Sequence, residues 1–180
     1  MGRRPREGER MTSVSKPGGA ALVLALAIVA LDQAVKHWIL NTLHLPELAS
    51  VPVAGPFRLT MVWNEGVSFG LFQAQHDVIR WLLAAFSIVV AVVLAGWVRQ
   101  TRRPLFAFAI GLVIGGAVGN VIDRIRFGAV VDFMDVTRLH FPWVFNVADS
   151  AISVGIVILL IDMLLQDRAE KANSAQDTAA

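Results

Sequence analysis

Four apolar blocks constrain the fold of this chain more than any other feature. They lie at about residues 20–40, 78–98, 105–122 and 143–165 of 180, and a helix of about 20 residues crosses a bilayer. Only 17% of the residues are charged, whereas about a quarter are charged in soluble domains. A soluble globule would have to bury several helices that are apolar on every side. The sequence predicts an all-α polytopic membrane protein with four transmembrane helices.

The segments between and beyond these blocks are polar. The longest is loop 41–77, in which residues 57–63 alternate as a strand does after a lead rich in Pro and Gly. We expect this strand to belong to a small sheet lying on the membrane. Residues 1–19 and 166–180 are polar tails without predicted fixed structure. Either Met1 or Met11 can be the true start.

The distribution of Lys and Arg predicts the orientation. Five basic residues lie in residues 1–19, three in residues 99–103 and two in the C-terminal tail, but loop 41–77 has only Arg58. By the positive-inside rule, both termini and the 99–103 turn are cytoplasmic, and loop 41–77 faces outward. Three arginines on the predicted outer side oppose this orientation, but the first helix usually dominates. They are Arg124, Arg126 and Arg138.

Several function classes are disfavoured by composition. The net charge is +2, but the basic residues flank apolar blocks and do not form one exposed face, which argues against nucleic-acid binding. The chain has no cysteine, so it has no disulfide, thiol nucleophile or iron–sulfur cluster. Its four histidines lack zinc-ligand spacing, which disfavours a metalloprotease.

Two aspartates at the edges of apolar runs are the candidate catalytic residues. Asp132 follows Val130-Val131, and Asp149 lies in the first apolar positions of the fourth block. A carboxylate near hydrocarbon costs roughly 3 kcal/mol on insertion scales, so each is a functional candidate. Two neighbouring carboxyl groups can share one proton and act as general base and general acid. Asp135 competes with Asp132 for this role, although its position predicts a solvated carboxylate.

Two Asn-x-x-Asp motifs flank the predicted site. Asn120 precedes Asp123, and Asn146 precedes Asp149. Residues three apart share a helix face, so each Asn is expected beside its own Asp, with Arg124 following as a carboxylate or carbonyl ligand. A capping role at the helix ends is the alternative.

An acid and a base in the first block have the spacing of an intrahelical ion pair. Asp32 and Lys36 lie four apart. The favoured interpretation is a mutually neutralising pair near the outer interface, with the Lys36 ammonium extended towards water.

Five motifs, in order, resemble bacterial lipoprotein signal peptidase, or signal peptidase II. The resemblance covers about residues 20–165, and its motifs are Asp32-Gln33-Ala34-Val35-Lys36, Asn64-x-Gly66, Gly119-Asn120-x-x-Asp123-Arg124, Val131-Asp132-Phe133 and Phe145-Asn146-x-Ala148-Asp149-Ser150-Ala151. It implies an aspartic endopeptidase of the bacterial inner membrane with four transmembrane helices and a small extracytoplasmic β-cradle. It also implies cleavage of prolipoproteins before a diacylglyceryl-modified cysteine, no cofactor or metal, and inhibition by globomycin.

The resemblance also implies a role for each matching residue. Asp132 and Asp149 form the catalytic dyad at the outer face of the membrane. Substrate or inhibitor is contacted by Asn64, Asn120, Arg124 and Asn146. The frame is supported by Asp32, Lys36 and Asp123. No nucleic acid or obligate protein partner is implied.

Two other functional classes are less consistent with the sequence. A proton-coupled transporter would use membrane carboxylates as a relay, but here they gather at one predicted face, and no inverted repeat is visible. A non-enzymatic assembly factor would use the third block, rich in glycine, to dock a partner helix.

Overall fold

The computed structural model describes residues 14–66 and 76–179. In chain order the elements are α1 (Lys16–Asn41), α2 (Leu45–Leu48), β1 (Ser50–Ala54), β2 (Phe57–Asn64), α3 (His76–Val98), α4 (Pro104–Phe127), β3 (Val130–Asp135), a 3₁₀ turn (Thr137–Leu139), β4 (Val144–Phe145) and α5 (Val147–Ala179).

Helix α1 begins within the predicted N-terminal tail. The Ser15 hydroxyl accepts a hydrogen bond from the Gly18 N–H at 3.0 Å, and Pro17 in the first turn has no N–H to satisfy. These features start the helix at Lys16, so residues 16–19 are helical, contrary to the prediction. The Ser15 N–H also donates to the Arg99 carbonyl at 2.8 Å. The start of α1 and the 99–103 turn therefore lie at the same end of the bundle.

Helix α4 is the centre of the bundle. It packs against α1, α3 and α5. In its most apolar stretch of 18 residues 78% are buried, compared with 11% to 22% in the corresponding stretches of the other three long helices. A Cβ at Gly115 would lie 2.8 Å from the Ala25 carbonyl oxygen, and one at Gly119 would lie 2.7 Å from Oδ2 of Asp32. The small residues of α4 therefore let α1 approach closely.

The other three long helices expose their apolar side chains. Examples are Leu26 of α1, Phe86 of α3 and Leu164 of α5. A helix that stays apolar on its exposed side needs lipid around it. Four helices are long and apolar enough to cross a membrane. The prediction of a four-span membrane protein is confirmed.

A small antiparallel sheet covers one end of the bundle, with the strands in the order β1-β2-β3-β4. The predicted strand at residues 57–63 is β2, and in the register Val62 lies opposite Asp132. Strand β3 lies in the polar connection between the third and fourth blocks, and β4 lies at the start of the predicted fourth block. Helix α4 also continues five residues past the predicted end at 122, until Gly128 ends it with a φ of 82°.

The bounds of the fourth block also differ from the prediction of 143–165. Val144 and Phe145 pair with β3, so helix α5 begins only at Val147. Its C-terminal part continues to Ala179, although residues 166–180 were predicted to be loose. Ala, Gln, Glu and Lys dominate this part, and their helix propensities explain why the helix continues.

Candidate active site

Strand β3 places Asp132 next to the first turn of α5. The Asp132 side chain is 1% exposed, and both of its oxygens accept amide hydrogen bonds. Oδ1 accepts from Nδ2 of Asn146 at 2.8 Å, and Oδ2 accepts from Nδ2 of Asn64 at 2.9 Å. The end of β2, helix α5 and strand β3 thus meet at this carboxyl group.

Asp149 is half-buried in the first turn of α5. Its Oδ1 accepts a hydrogen bond from Nδ2 of Asn120 at 2.7 Å. No donor in residues 14–66 or 76–179 bonds to its Oδ2. One oxygen of Asp149 is therefore open to a ligand.

The two Asn-x-x-Asp motifs cross over. Asn120 donates its side-chain hydrogen bond to Asp149 and not to Asp123, and Asn146 donates to Asp132. Asn146 does lie beside Asp149, as expected, because its Oδ1 accepts from the Asp149 N–H, but both side-chain donors bond to carboxylates outside their own motifs. The packing of α4 against α5 brings each amide nearer to the carboxylate of another segment.

The surroundings fix the orientation of both amides. Oδ1 of Asn146 accepts from the Asp149 N–H at 2.8 Å, which turns its NH₂ group towards Asp132. Oδ1 of Asn120 accepts from Nδ2 of Asn146 at 3.1 Å and from Nζ of Lys36 at 3.4 Å, which turns its NH₂ group towards Asp149. Asn146 therefore contacts both aspartates, one through its side-chain NH₂ and the other through its carbonyl oxygen.

A buried ionic cluster lies behind the asparagines. Lys36 Nζ lies 2.8 Å from Oδ2 of Asp32 and 2.6 Å from Oδ2 of Asp123. Lys36 is only 2% exposed, so the expectation that its ammonium extends towards water was wrong. Asp123 belongs to α4. The spacing of Asp32 and Lys36 within α1 carries no information about a partner from another helix.

Backbone donors complete the cluster and join it to the site. The Ala148 N–H donates to Oδ1 of Asp32 at 3.0 Å, and the Val131 N–H donates to Oδ2 of Asp123 at 3.1 Å. Each donor is the residue immediately before a site aspartate. Gln33 also donates to Oδ1 of Asp123 at 2.9 Å. Sequence reasoning did not single out Gln33, and its one signal was a polar side chain within an apolar block.

The protonated form of Asp132 is more favoured in this site than it is in an aspartate exposed to water. Burial raises the pKa of Asp132 to about 6, with a further increase from the neighbouring Asp149 charge. The amide hydrogen bonds from Asn64 and Asn146 act in the opposite direction. Asp132 is therefore mainly ionised at neutral pH but close to its titration range.

Asp135 has a different environment from Asp132. The hydroxyl groups of Thr137 and Thr60 each donate to Asp135 at 2.6 Å. These hydrogen bonds lower the pKa of Asp135. The expected solvated carboxylate is instead a fixed, hydrogen-bonded one, which makes it unsuitable as a proton donor.

The site opens into a cavity. Its volume is about 590 Å³, and its lining includes Asn64 and Asp132 together with the aromatic rings of Trp63 and Trp143. Arg124 is partly exposed and lies within electrostatic range of Asp149, Asp123 and Asp132. The structure thus brings together all nine residues that the sequence analysis selected, through direct contacts or through Arg124's charge.

The chain is similar to known proteins over most of its length. The sequence model of the family Signal peptidase (SPase) II matches residues 24–165. A lipoprotein signal peptidase of Caulobacter vibrioides is 50% identical over 165 residues, covering 91% of this chain and 98% of the relative. One of Rhodopseudomonas palustris is 42% identical over 161 residues, covering 87% and 98%.

Solved structures give the same result. A bacterial membrane enzyme determined at 1.9 Å superposes with a TM-score of 0.71 and 26% identity, covering 86% of this chain and 98% of the other. Another, determined at 2.3 Å, has a TM-score of 0.70 and 27% identity, covering 85% and 92%. On the match of the family model and of these relatives, the chain belongs to the signal peptidase II family.

Proposed function

We propose that Asp132 and Asp149 are the catalytic pair with which this family member removes signal peptides from prolipoproteins. The observation that carries the proposal is the hydrogen-bonded chain that links the two carboxyl groups through Asn146 and Asn120, with Asp132 in the lining of a cavity. Two carboxyl groups in one site do not both ionise readily, so the pair retains one proton at neutral pH.

The hydrogen bonds assign a role to each carboxyl group. Both oxygens of Asp132 accept amide donors, which favours the ionised form. Oδ2 of Asp149 accepts no hydrogen bond from a donor within the described residues, so it is the oxygen free to face the carbonyl oxygen of a substrate. Asp132 is then the general base, and Asp149 is the general acid.

Hydrolysis follows from these roles. Asp132 takes a proton from a water molecule, whose oxygen adds to the carbonyl carbon of the scissile peptide bond. Asp149 gives its proton to the carbonyl oxygen, which produces a neutral tetrahedral diol. When the C–N bond breaks, the leaving nitrogen takes the proton held by Asp132, and a hydroxyl proton of the diol returns to Asp149. The pair regains its starting state.

The residues around the pair have two kinds of proposed role. Asn64 lines the cavity and Arg124 is partly exposed, so both are placed to contact substrate or inhibitor. Asn120 and Asn146 are buried, so their main role is to hold the two carboxyl groups in position through hydrogen bonds. The peptidase domain comprises the four long helices and the sheet, and its N-terminal bound moves from residue 20 to Lys16, where α1 begins.

The membrane setting follows from charge and substrate chemistry. The 99–103 turn and the start of α1 share one end of the bundle, and their basic residues support a cytoplasmic location of that end. The site then faces outward in the bacterial inner membrane. A cysteine that carries diacylglycerol stays at the bilayer surface, where the pair can reach the bond before it.

A direct assay tests the proposed function. Purified protein in detergent should cleave a prolipoprotein that carries a diacylglyceryl cysteine and leave the unmodified form uncut. Globomycin should abolish the cleavage. Mass spectrometry of the product should show the modified cysteine at its N-terminus; a product that begins at any other residue would contradict the assignment.

We expect the pH dependence to follow the titration of Asp132. Because its pKa lies at about 6 and the base must be ionised, kcat/KM should decrease below pH 6 by about tenfold for each pH unit. Asn64→Leu removes a hydrogen bond that favours the ionised form, so it should move this acidic limb to higher pH. Asp135→Asn is the control and should leave the limb in place. An unshifted limb in Asn64→Leu would argue against Asp132 as the base.

A further inference from the structure

The loop that joins β3 to β4 exposes large apolar side chains next to the catalytic carboxyl groups. We call residues 139–143 the aromatic loop. Leu139 is 41% exposed, Phe141 63% and Trp143 65%. Nothing in the catalytic cycle described above uses these side chains.

The aromatic loop has a defined backbone. The Leu139 N–H donates to the Val136 carbonyl at 2.9 Å, and the Val136 N–H donates to the Trp143 carbonyl at 3.3 Å. The loop is therefore tied at both ends to the strand that carries Asp132. His140 has a φ of 64°, a conformation that turns the chain between exposed Leu139 and exposed Phe141 and is uncommon outside glycine.

The apolar surface of the loop is continuous with the catalytic cavity. Pro142 and Trp143 line the cavity on one side and Trp63 on another, while Asn64 and Asp132 supply its polar lining. The edge of Trp63 packs against Phe127 with ring centroids 5.8 Å apart. Pro142 and Trp143 thus connect the exposed loop to the cavity that Asp132 lines.

The level of the loop in the molecule matches that of a membrane interface. Trp143 precedes helix α5 by four positions, and Asp149 lies in the first turn of that helix. Aromatic rings are enriched at the boundary between hydrocarbon and water. An exposed apolar patch beside a functional cavity is typical of an interaction site.

We infer that the aromatic loop, together with Trp63, is the recognition site for the acyl chains of the substrate's modified cysteine. This inference rests on the proposed function. The diacylglyceryl group is bonded to the cysteine sulfur, one residue from the scissile bond, so its chains must leave the cavity close to Asp132. Trp63 and Trp143 line that cavity, and Phe141 lies exposed two residues before Trp143, so these rings offer the chains an apolar surface beside it.

The test compares two substrates that differ only in acyl-chain length. Full-length protein in detergent is given a lipopeptide with two palmitoyl chains or the same lipopeptide with two octanoyl chains. Phe141→Ser and Trp143→Ser, alone and combined, should raise KM for the palmitoyl substrate, by roughly tenfold in the combined variant, with kcat unchanged. The octanoyl substrate should be affected much less, since its shorter chains reach less of the loop.

Phe57→Ser is the matched control, because Phe57 is 49% exposed on the same sheet but does not line the cavity. It should leave both KM values unchanged. An equal increase of KM for the two substrates would mean that the loop only anchors the enzyme to lipid, and it would overturn the inference. Unchanged KM values in the combined variant would overturn it as well.

A crosslinking measurement does not depend on the stability of the loop variants. Asp149→Asn retains the substrate-binding surface, and a palmitoyl substrate with a diazirine on the acyl chain should label residues 139–143 or Trp63 in it. Labelling confined to other helices would contradict the inference. Failure of the unaltered enzyme to cleave either lipopeptide would instead contradict the proposed function, so the two failures are distinguishable.

Discussion

Asp132→Asn and Asp149→Asn are each expected to abolish cleavage while the protein remains folded and inserted in the membrane. Asparagine has the shape of aspartate but can neither accept a proton from water nor donate one to the carbonyl oxygen. General acid–base groups contribute roughly 10²- to 10⁴-fold to a rate, and kcat should decrease by at least that range. The measurement is single-turnover cleavage of a lipidated prolipoprotein.

The double variant gives the sharper result. Groups that act as one unit have strongly non-additive effects, so Asp132→Asn combined with Asp149→Asn should be no slower than either single variant. Asp135→Asn is the matched control, since Asp135 lies on the same strand and bonds to Thr60 and Thr137. It should keep most of the activity. Additive losses in the double variant would show that the two carboxyl groups act independently.

The membrane helices and one strand were predictable because their determinants are local. A block of about 20 apolar residues has few alternatives to a spanning helix, and residues 57–63 carry the alternation of a half-buried strand. Strand β3 carries no such signal. Four of its six residues are apolar, and all but Met134 are buried. The burial arises because β3 lies between β2 and β4 in the sheet and packs against α4.

The membership of the site was predictable, but its contacts were not. Asp132 and Asp149 stand out because carboxylates are costly near hydrocarbon. The partners of each side chain depend on which helices pack together. Gly119 allows α4 to approach Asp32 of α1, and this approach converts the expected pair of Asp32 and Lys36 into a cluster with Asp123. No spacing along the chain contains that information.

Lys36→Met is expected to destabilise the protein more than substitution of any exposed charge. Asp32 and Asp123 are fully buried, and Lys36 is their shared cation. Breaking a buried ion pair by removing one partner costs about 3–5 kcal/mol, because a buried charge is left uncompensated. For a chain of this length, the apparent melting temperature in detergent should fall by roughly 10 °C. Thermal unfolding monitored by circular dichroism is the measurement.

The controls separate the buried cluster from lysine content in general. Lys16→Met removes an exposed lysine at the start of the same helix and should leave the melting temperature unchanged. Adding Asp123→Asn to Lys36→Met removes one uncompensated carboxylate, so the double variant should recover part of the lost stability. An unchanged melting temperature in Lys36→Met, or a further decrease in the double variant, would show that the cluster does not hold α1 to α4. Because Lys36 also bonds to Asn120, whose amide faces Asp149, any Lys36→Met protein that remains folded should show a reduced kcat.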